Sequence, residues 1–357
     1  MDTTDRRTIL TVCGTALAGA LAGCNNTDDE TSTATETDVA TPTATETPKP
    51  TATPRPTDPE VMAALVTAQP KAATAFEHVQ ALQVVEDGQI GATSDDQFRE
   101  FAIHDKDDVY DPLTVVRDTL VPVREQGSET QRVRVETLLS FGEYVNTKYQ
   151  EYTALAEGFT RLYRGVDAYA ADELTDAYDY FTATREDLAS ISEQRVAASE
   201  LLEQFATDGI DLGIRAFSIT DEQAEQTYVS TLVYRWVPGV RGMERHVAGM
   251  NTLARAIRAF EAADYERVTQ LSQAASGGFE AASEALSMAL DRDVSLFPSM
   301  LDTVACRSDG LAQSAATLRT AGRAGVNGDE RSASARYETA DSQFKRAFRD
   351  CEGDSAS

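Results

Sequence analysis

Few residues in this chain are equipped for chemistry, and their spacing narrows the kind. The histidines are His78, His104 and His246. A zinc site on a helix needs two of them one turn apart, as in HxxxH or HExxH, and these three are scattered. They are expected at the surface or half-buried. The acid run Asp105, Asp107, Asp108 and Asp111 offers oxygen ligands, but it lacks the glycine and the terminal glutamate of a calcium loop. A solvated face is the plainer reading. No GxSxG elbow, Walker loop or GxGxxG turn occurs in context. Gly277-Gly278 within AASGGFEAAS reads as a close helix contact or a kink. Nothing pairs a nucleophile with a base. The residues therefore predict no enzyme, no metal and no cofactor.

Aromatic residues crowd into one stretch: Tyr144, Tyr149, Tyr152, Phe159, Tyr163, Tyr169, Tyr178, Tyr180 and Phe181. Two readings stand. One is core packing with the hydroxyls at the rim. The other is an aromatic groove for a peptide or glycan, formed by Tyr144, Tyr149, Tyr152, Tyr163 and Tyr169. Trp236, close to Pro238, is a weaker candidate of the same kind, with core the plainer reading.

The four cysteines divide by position. The opening MDTTDRRTILTVCGTALAGALAGC has a charged start, an apolar run from about Ile9 to Ala22 and a small-residue end, the three parts of a secretory signal. Arg6-Arg7-Thr8-Ile9-Leu10 resembles the twin-arginine export motif, with Asp5 where a hydroxyl residue is usual. Leu21-Ala22-Gly23-Cys24 resembles the lipobox of lipoproteins. Small residues there admit the peptidase, and the Cys24 thiolate takes up the lipid. The resemblance implies that residues 1–23 leave and that Cys24 becomes a lipidated N-terminus. The chain would then sit on the extracytoplasmic face of the cell membrane, two lipid chains giving stable anchoring where one is marginal. Cys13 leaves with the signal. Cys306 and Cys351 remain, an even pair in an exported protein, and a disulfide is expected. Two free thiols or a metal pair are the alternative.

After Cys24 the chain turns to threonine, proline and acid. Residues 24–58 show no apolar periodicity, so they cannot repay the entropy of folding and read as a disordered stalk. The 34 residues from Asn25 to Asp58 reach about 100 Å at about 3.1 Å each in polyproline geometry. Thr/Pro-rich composition also suits O-glycosylation.

Net charge is −27, and −22 of it belongs to residues 59–357. Such a surface repels phosphate backbones, so no nucleic-acid partner is expected. The only lysines are Lys49, Lys71, Lys106, Lys148 and Lys345. Abundant acid with scarce lysine and retained arginine resembles proteins of salt-in halophiles, particularly haloarchaea. An ordinary acidic protein is the alternative.

The elements that position these residues read as helices. Asp58-Pro59-Glu60 has the order of N-cap, first-turn proline and first-turn acid. Pro70 is expected to kink or divide the helix that follows. From Ser128 to about Tyr169 apolar residues recur in steps of three and four. Similar patterns cover about 172–192, 194–208, 221–235, 239–262, 264–291, 298–324 and 330–351. Residues 87–109 read as a loop with one short helix. The fold class is all-α, one domain over 59–352 with a disordered tail at 353–357.

Three stretches align: AYAADELTDAYDYFTATREDL (168–188), AFEAADYERVTQLSQAASGGF (259–279) and AGVNGDERSASARYETADSQF (324–344). Counted from Glu173, Asp264 and Asp329, offset +4 is Ala177, Val268 and Ala333, and offset +11 is Thr184, Ala275 and Ala340. Offset +15 is Leu188, Phe279 and Phe344. Small residues at +4 and +11 with a bulky one at +15 let two helices approach closely. This resembles tetratricopeptide hairpins, which implies an array of helix pairs; generic helical hairpins explain the same residues. The expected architecture is an elongated bundle or an irregular hairpin array. The expected function is a membrane-anchored surface scaffold that binds a protein or the envelope. A solute-binding lipoprotein serving a transporter is the alternative.

Overall fold

The structure is a computed structural model, and it describes residues 56–82, 85, 86, 89, 90, 106–208, 212–294 and 296–351. Arg6, Arg7, Cys24, residues 24–55 of the stalk, His104 and the 353–357 tail lie outside the described residues. Helix α1 runs Pro59–Ala81. Asp58 caps it, its carboxylate accepting the Glu60 N–H at 2.8 Å. A two-residue antiparallel pair follows, Val85–Glu86 (β1) with Gln89–Ile90 (β2). Then come α2 (Asp107–Leu120), a 3-10 turn (Val121–Val123), α3 (Glu129–Ala170), α4 (Leu174–Asp208), α5 (Ile219–Glu261), α6 (Tyr265–Asp291), α7 (Pro298–Val326) and α8 (Glu330–Asp350). The fold is all-α.

Three expected breaks are absent. Helix α1 continues through Pro70, α4 unites the expected 172–192 and 194–208, and α5 continues through Pro238. A proline removes one ladder bond. Here the turns around it are held by burial: Ala68, Ala72 and Phe76 in α1, Trp236, Gly239 and Val240 in α5. Tertiary packing supplies most helix stability, so it overrides the local penalty.

From α3 onward each helix packs on its neighbours in the chain, forming an array of antiparallel hairpins. Buried residues recur in steps of three and four along every long helix. In α3 the seam includes Leu138, Phe141, Val145, Tyr152 and Leu155; in α6 it includes Ala275, Phe279, Ala282, Leu286 and Ala289. That spacing is the coiled-coil repeat, which lets long helices stay in register. At about 1.5 Å per residue, the 42-residue α3 is about 63 Å long.

The three aligned stretches are the same turn. Glu173, Asp264 and Asp329 N–H groups return to the carbonyls of Ala168, Ala259 and Ala324, at 2.9, 2.9 and 3.0 Å. The residue before each is left-handed: Asp172 at φ 64°, Ala263 at 56° and Gly328 at 79°. This is a Schellman motif. Asp264 and Asp329 then cap the next helix through the N–H groups of Arg267 and Ser332. The +4 and +11 residues are all buried. The turns are 91 and 65 residues apart, not the roughly 34 of a tetratricopeptide unit, so the array is irregular.

Two apolar clusters make the core. The larger gathers α1 to α4, α5 up to Val247, the end of α6 and the start of α7. The smaller begins at Leu253 and holds the rest of α5 to α8. The buried residues of α8 are alanines, Ala333, Ala340 and Ala347, with half-buried Tyr337, Phe344 and Phe348 packed on the same cluster. The Cys306–Cys351 disulfide fastens this helix to α7, with Cα atoms 5.7 Å apart. Closing 45 residues contributes about 4 kcal/mol in the chain-entropy account.

Candidate functional site

Three apolar seams are interrupted at one level of the array. Lys148 stands in step with Val145 and Tyr152 on α3. Arg195 stands in step with Ile191 and Ala198 on α4. Glu222 and Gln226 stand in step with Val229 on α5. Lys148 is wholly buried, and its Nζ donates to Glu222 Oε2 at 2.5 Å and to Glu225 Oε2 at 3.0 Å. Tyr144 Oη also donates to Glu222 Oε2. The ammonium lies 5.5 Å from the Phe76 ring centre and 5.3 Å from that of Tyr152, a favourable place for a desolvated cation. Burying these charges costs several kcal/mol per ion, which only pairing and hydrogen bonds offset.

Glu151 sits beside them, with its Oε2 accepting from Gln226 Nε2 at 2.7 Å. Burial pushes its carboxyl up to about 7, and the nearby Glu225 adds to this; the Gln226 bond, Lys148 and Arg195 pull the other way. Burial, followed by Glu222, also holds the Tyr144 hydroxyl well above the ordinary phenol range. Acceptors outnumber donors. Glu151 Oε1, Glu225 Oε1 and Gln226 Oε1 are buried without a hydrogen-bond partner. The arrangement can hold a proton or receive a donor; it contains no nucleophile.

A cleft of about 270 Å³ opens on this level between α4 and α5. Arg195, Ser199, Leu202 and Glu203 line it from α4, and Gln223, Gln226, Thr227, Ser230 and Thr231 from α5. A second cleft, of about 370 Å³, lies between α2 and α3, around Tyr110, Leu113 and Leu139.

A separate polar node joins α3, α5 and α7 where the two apolar clusters meet. His246 is wholly buried, against the expectation of a surface or half-buried residue. Its Nδ1 lies 2.8 Å from Ser308 Oγ, and its Nε2 lies 3.1 Å from Tyr169 Oη. Ser308 already donates to the Val304 carbonyl at 2.8 Å, so its oxygen accepts from His246 Nδ1–H. Nε2 then accepts from Tyr169, and the ring is neutral. Burial, then the charge of Arg307, pushes the His246 pKa down to about 3. Position i+7 along α5 links Gly239, His246 and Leu253 to one seam, but a single histidine in a helix does not reveal its burial.

The tyrosines proposed as a groove do not share one. Tyr144 and Tyr152 are buried in the core. Tyr149 meets Tyr110 edge-on, Tyr163 meets Phe297, and Tyr169 meets His246. Core packing is the reading that fits, because each ring has a separate protein partner. Trp236 is buried, with Phe159 edge-on at 6.0 Å. His78 is exposed at the end of α1, and Asp107, Asp108 and Asp111 are exposed at the start of α2. Gly278 lies where an added Cβ would meet the Gly249 backbone at 3.7 Å, a close helix contact, while Gly277 faces open space. Sequence reading missed Lys148, Glu151, Glu222, Glu225 and Gln226. The available signal was a charged or amide residue in phase with an apolar seam.

Comparison with protein-family models, with curated proteins and with solved structures found no match to this chain.

Proposed function

We propose that this chain is a lipoprotein held on the extracytoplasmic face of the cell membrane by lipid on Cys24, exported under the direction of Arg6 and Arg7. Its helical array would serve as a scaffold for a protein or another envelope component rather than as an enzyme. The observation that carries the scaffold reading is the array itself. Long helices packed in chain order leave extended outer faces, and among the described residues Glu151 and Glu222 are the only buried acids. The negative charge therefore faces outward, where it excludes nucleic acid and favours a partner with basic or cation-bridged groups. The anchor reading rests on residues 1–24 alone. Replacing Cys24 with Ser and fractionating cells tests it: the protein should move from the membrane to the soluble fraction. Unchanged membrane retention would overturn the anchor. A solute-binding role is the second reading, favoured by the polar cleft between α4 and α5.

A further inference from the structure

We propose that the cleft between α4 and α5 binds a small zwitterion, with an ammonium group received by Gln226 and a carboxylate received by Arg195. The inference deepens the solute-binding reading and needs neither the anchor nor the surface location. Three observations carry it.

The first is an acceptor without a donor. Gln226 is 4% exposed and lines the cleft. Its Nε2 is committed to Glu151, so its Oε1 is the free end of the amide, and that oxygen has no partner. A buried hydrogen-bonding group left unpaired is destabilising, and a donor entering the cleft would satisfy it. Glu151 Oε1 and Glu225 Oε1, behind and beside it, are also without donors. This excess of acceptors selects a cationic donor over a neutral one.

The second is an unpaired cation at the same cleft. Arg195 is half-buried and forms no ion pair or hydrogen bond among the described residues. A planar guanidinium with free donors is suited to a carboxylate. A simple amine would leave it unused and would meet its repulsion. A zwitterion uses both ends. Glu203, two helical turns beyond Arg195 on the same wall, adds negative charge on the side away from the guanidinium.

The third is size and lining. About 270 Å³ is at or below the lower edge of small-molecule sites, which limits the ligand to amino-acid dimensions. Ser199, Ser230 and Thr231 supply hydroxyls, and Leu202 is the one apolar side chain. Bulky apolar ligands have little to bury against.

Calorimetric titration of the purified full chain in molar salt tests the assignment. The probes are L-alanine and 4-aminobutanoate, which separate the two charges differently, with n-butylamine and butanoate as single-charge controls. At least one zwitterion is expected to bind, and each control at least tenfold more weakly. Arg195→Gln, at a half-exposed position, should weaken that binding about tenfold or more while leaving the circular-dichroism spectrum unchanged. Gln226→Leu should do the same, and Arg195→Gln decides the matter if that variant fails to fold. No binding of either zwitterion, binding of n-butylamine or of butanoate equal to the better zwitterion, or full binding by Arg195→Gln would each overturn the proposal. Membrane retention of Cys24→Ser is read separately, so failure of the anchor and failure of the cleft are distinguishable.

Discussion

Glu151 and His246 are buried titratable groups with opposite consequences for stability. The Glu151 carboxyl titrates near 7 when folded, against about 4.5 when free. Between those values the folded protein keeps a proton that the unfolded chain has released. Stability therefore falls as pH rises from about 4.5 to about 7, and is flat above. The groups facing it are Lys148 on its own helix, Glu225 and Gln226 on α5, and Arg195 on α4. Glu151→Gln keeps an acceptor for Gln226 and removes the charge. It should stabilise the protein at pH 8 by up to about 3 kcal/mol and by almost nothing at pH 4. Equal effects at both pH values in denaturant titrations would contradict the burial account. His246 works the other way. Its folded pKa is depressed to about 3 from 6.5, so the unfolded chain takes up a proton that the folded one refuses. Stability falls as pH drops below 6.5, by about 2 kcal/mol at pH 5. Wild-type protein shows the two effects opposed. In the Glu151→Gln background, melting temperature should fall clearly from pH 7.5 to 5, and adding His246→Gln should remove that slope.

At the scale of elements, the recurring turn sets the hairpins. Its left-handed residue is Asp172, Ala263 or Gly328. Alanine is poorly suited to positive φ, by about 1 kcal/mol, and glycine is not. Nothing lies within 4 Å of a Cβ added at Gly328, so substitution there reads backbone strain alone. Gly328→Ala should lower stability by about 1 kcal/mol, and Ala263→Gly should raise it by about 0.5–1 kcal/mol. Denaturant midpoints moving in the same direction for both would exclude this account. Between the turns, close approach depends on small residues opposite large ones. An added Cβ at Gly249 would meet the Phe279 ring at 2.8 Å, and one at Gly165 would meet the Phe181 ring at 2.9 Å. The alanine and glycine content of the last four helices thus reflects how near their axes lie.

Among the described residues every acid except Glu151 and Glu222 lies outside the buried core, and the chain has little lysine to pair with its acids. At about 0.01 M salt the Debye length is about 30 Å, so acids across the array repel one another; at about 1 M it is about 3 Å and they do not. Total stability of a domain is about 5–15 kcal/mol, so many repulsions of a few tenths each decide the state. Helicity and melting temperature should both fall as salt is lowered from the molar to the millimolar range. The disulfide keeps α8 in place longest. A melting temperature unchanged across that range would make the acids ordinary solubilising charges. Reduction of Cys306–Cys351 should deepen the low-salt loss, because the bond is the covalent tie between α8 and α7.

Local order was written in the sequence. The cap at Asp58, the three- and four-residue steps, the pairing of Cys306 with Cys351 and the three aligned turns each depend on residues a few positions apart or on simple counting. Periodicity states which face of a helix is buried. It does not state which faces meet at one height. That depends on how antiparallel helices are registered, which turns and packing tens of residues away decide. So the continuity of α5 through Pro238, the burial of His246 and the convergence of Lys148, Arg195, Glu222 and Gln226 appear only in three dimensions. Each is a local penalty, whether a missing ladder bond, a desolvated ring or a desolvated charge. Only partners supplied by other helices make it tolerable.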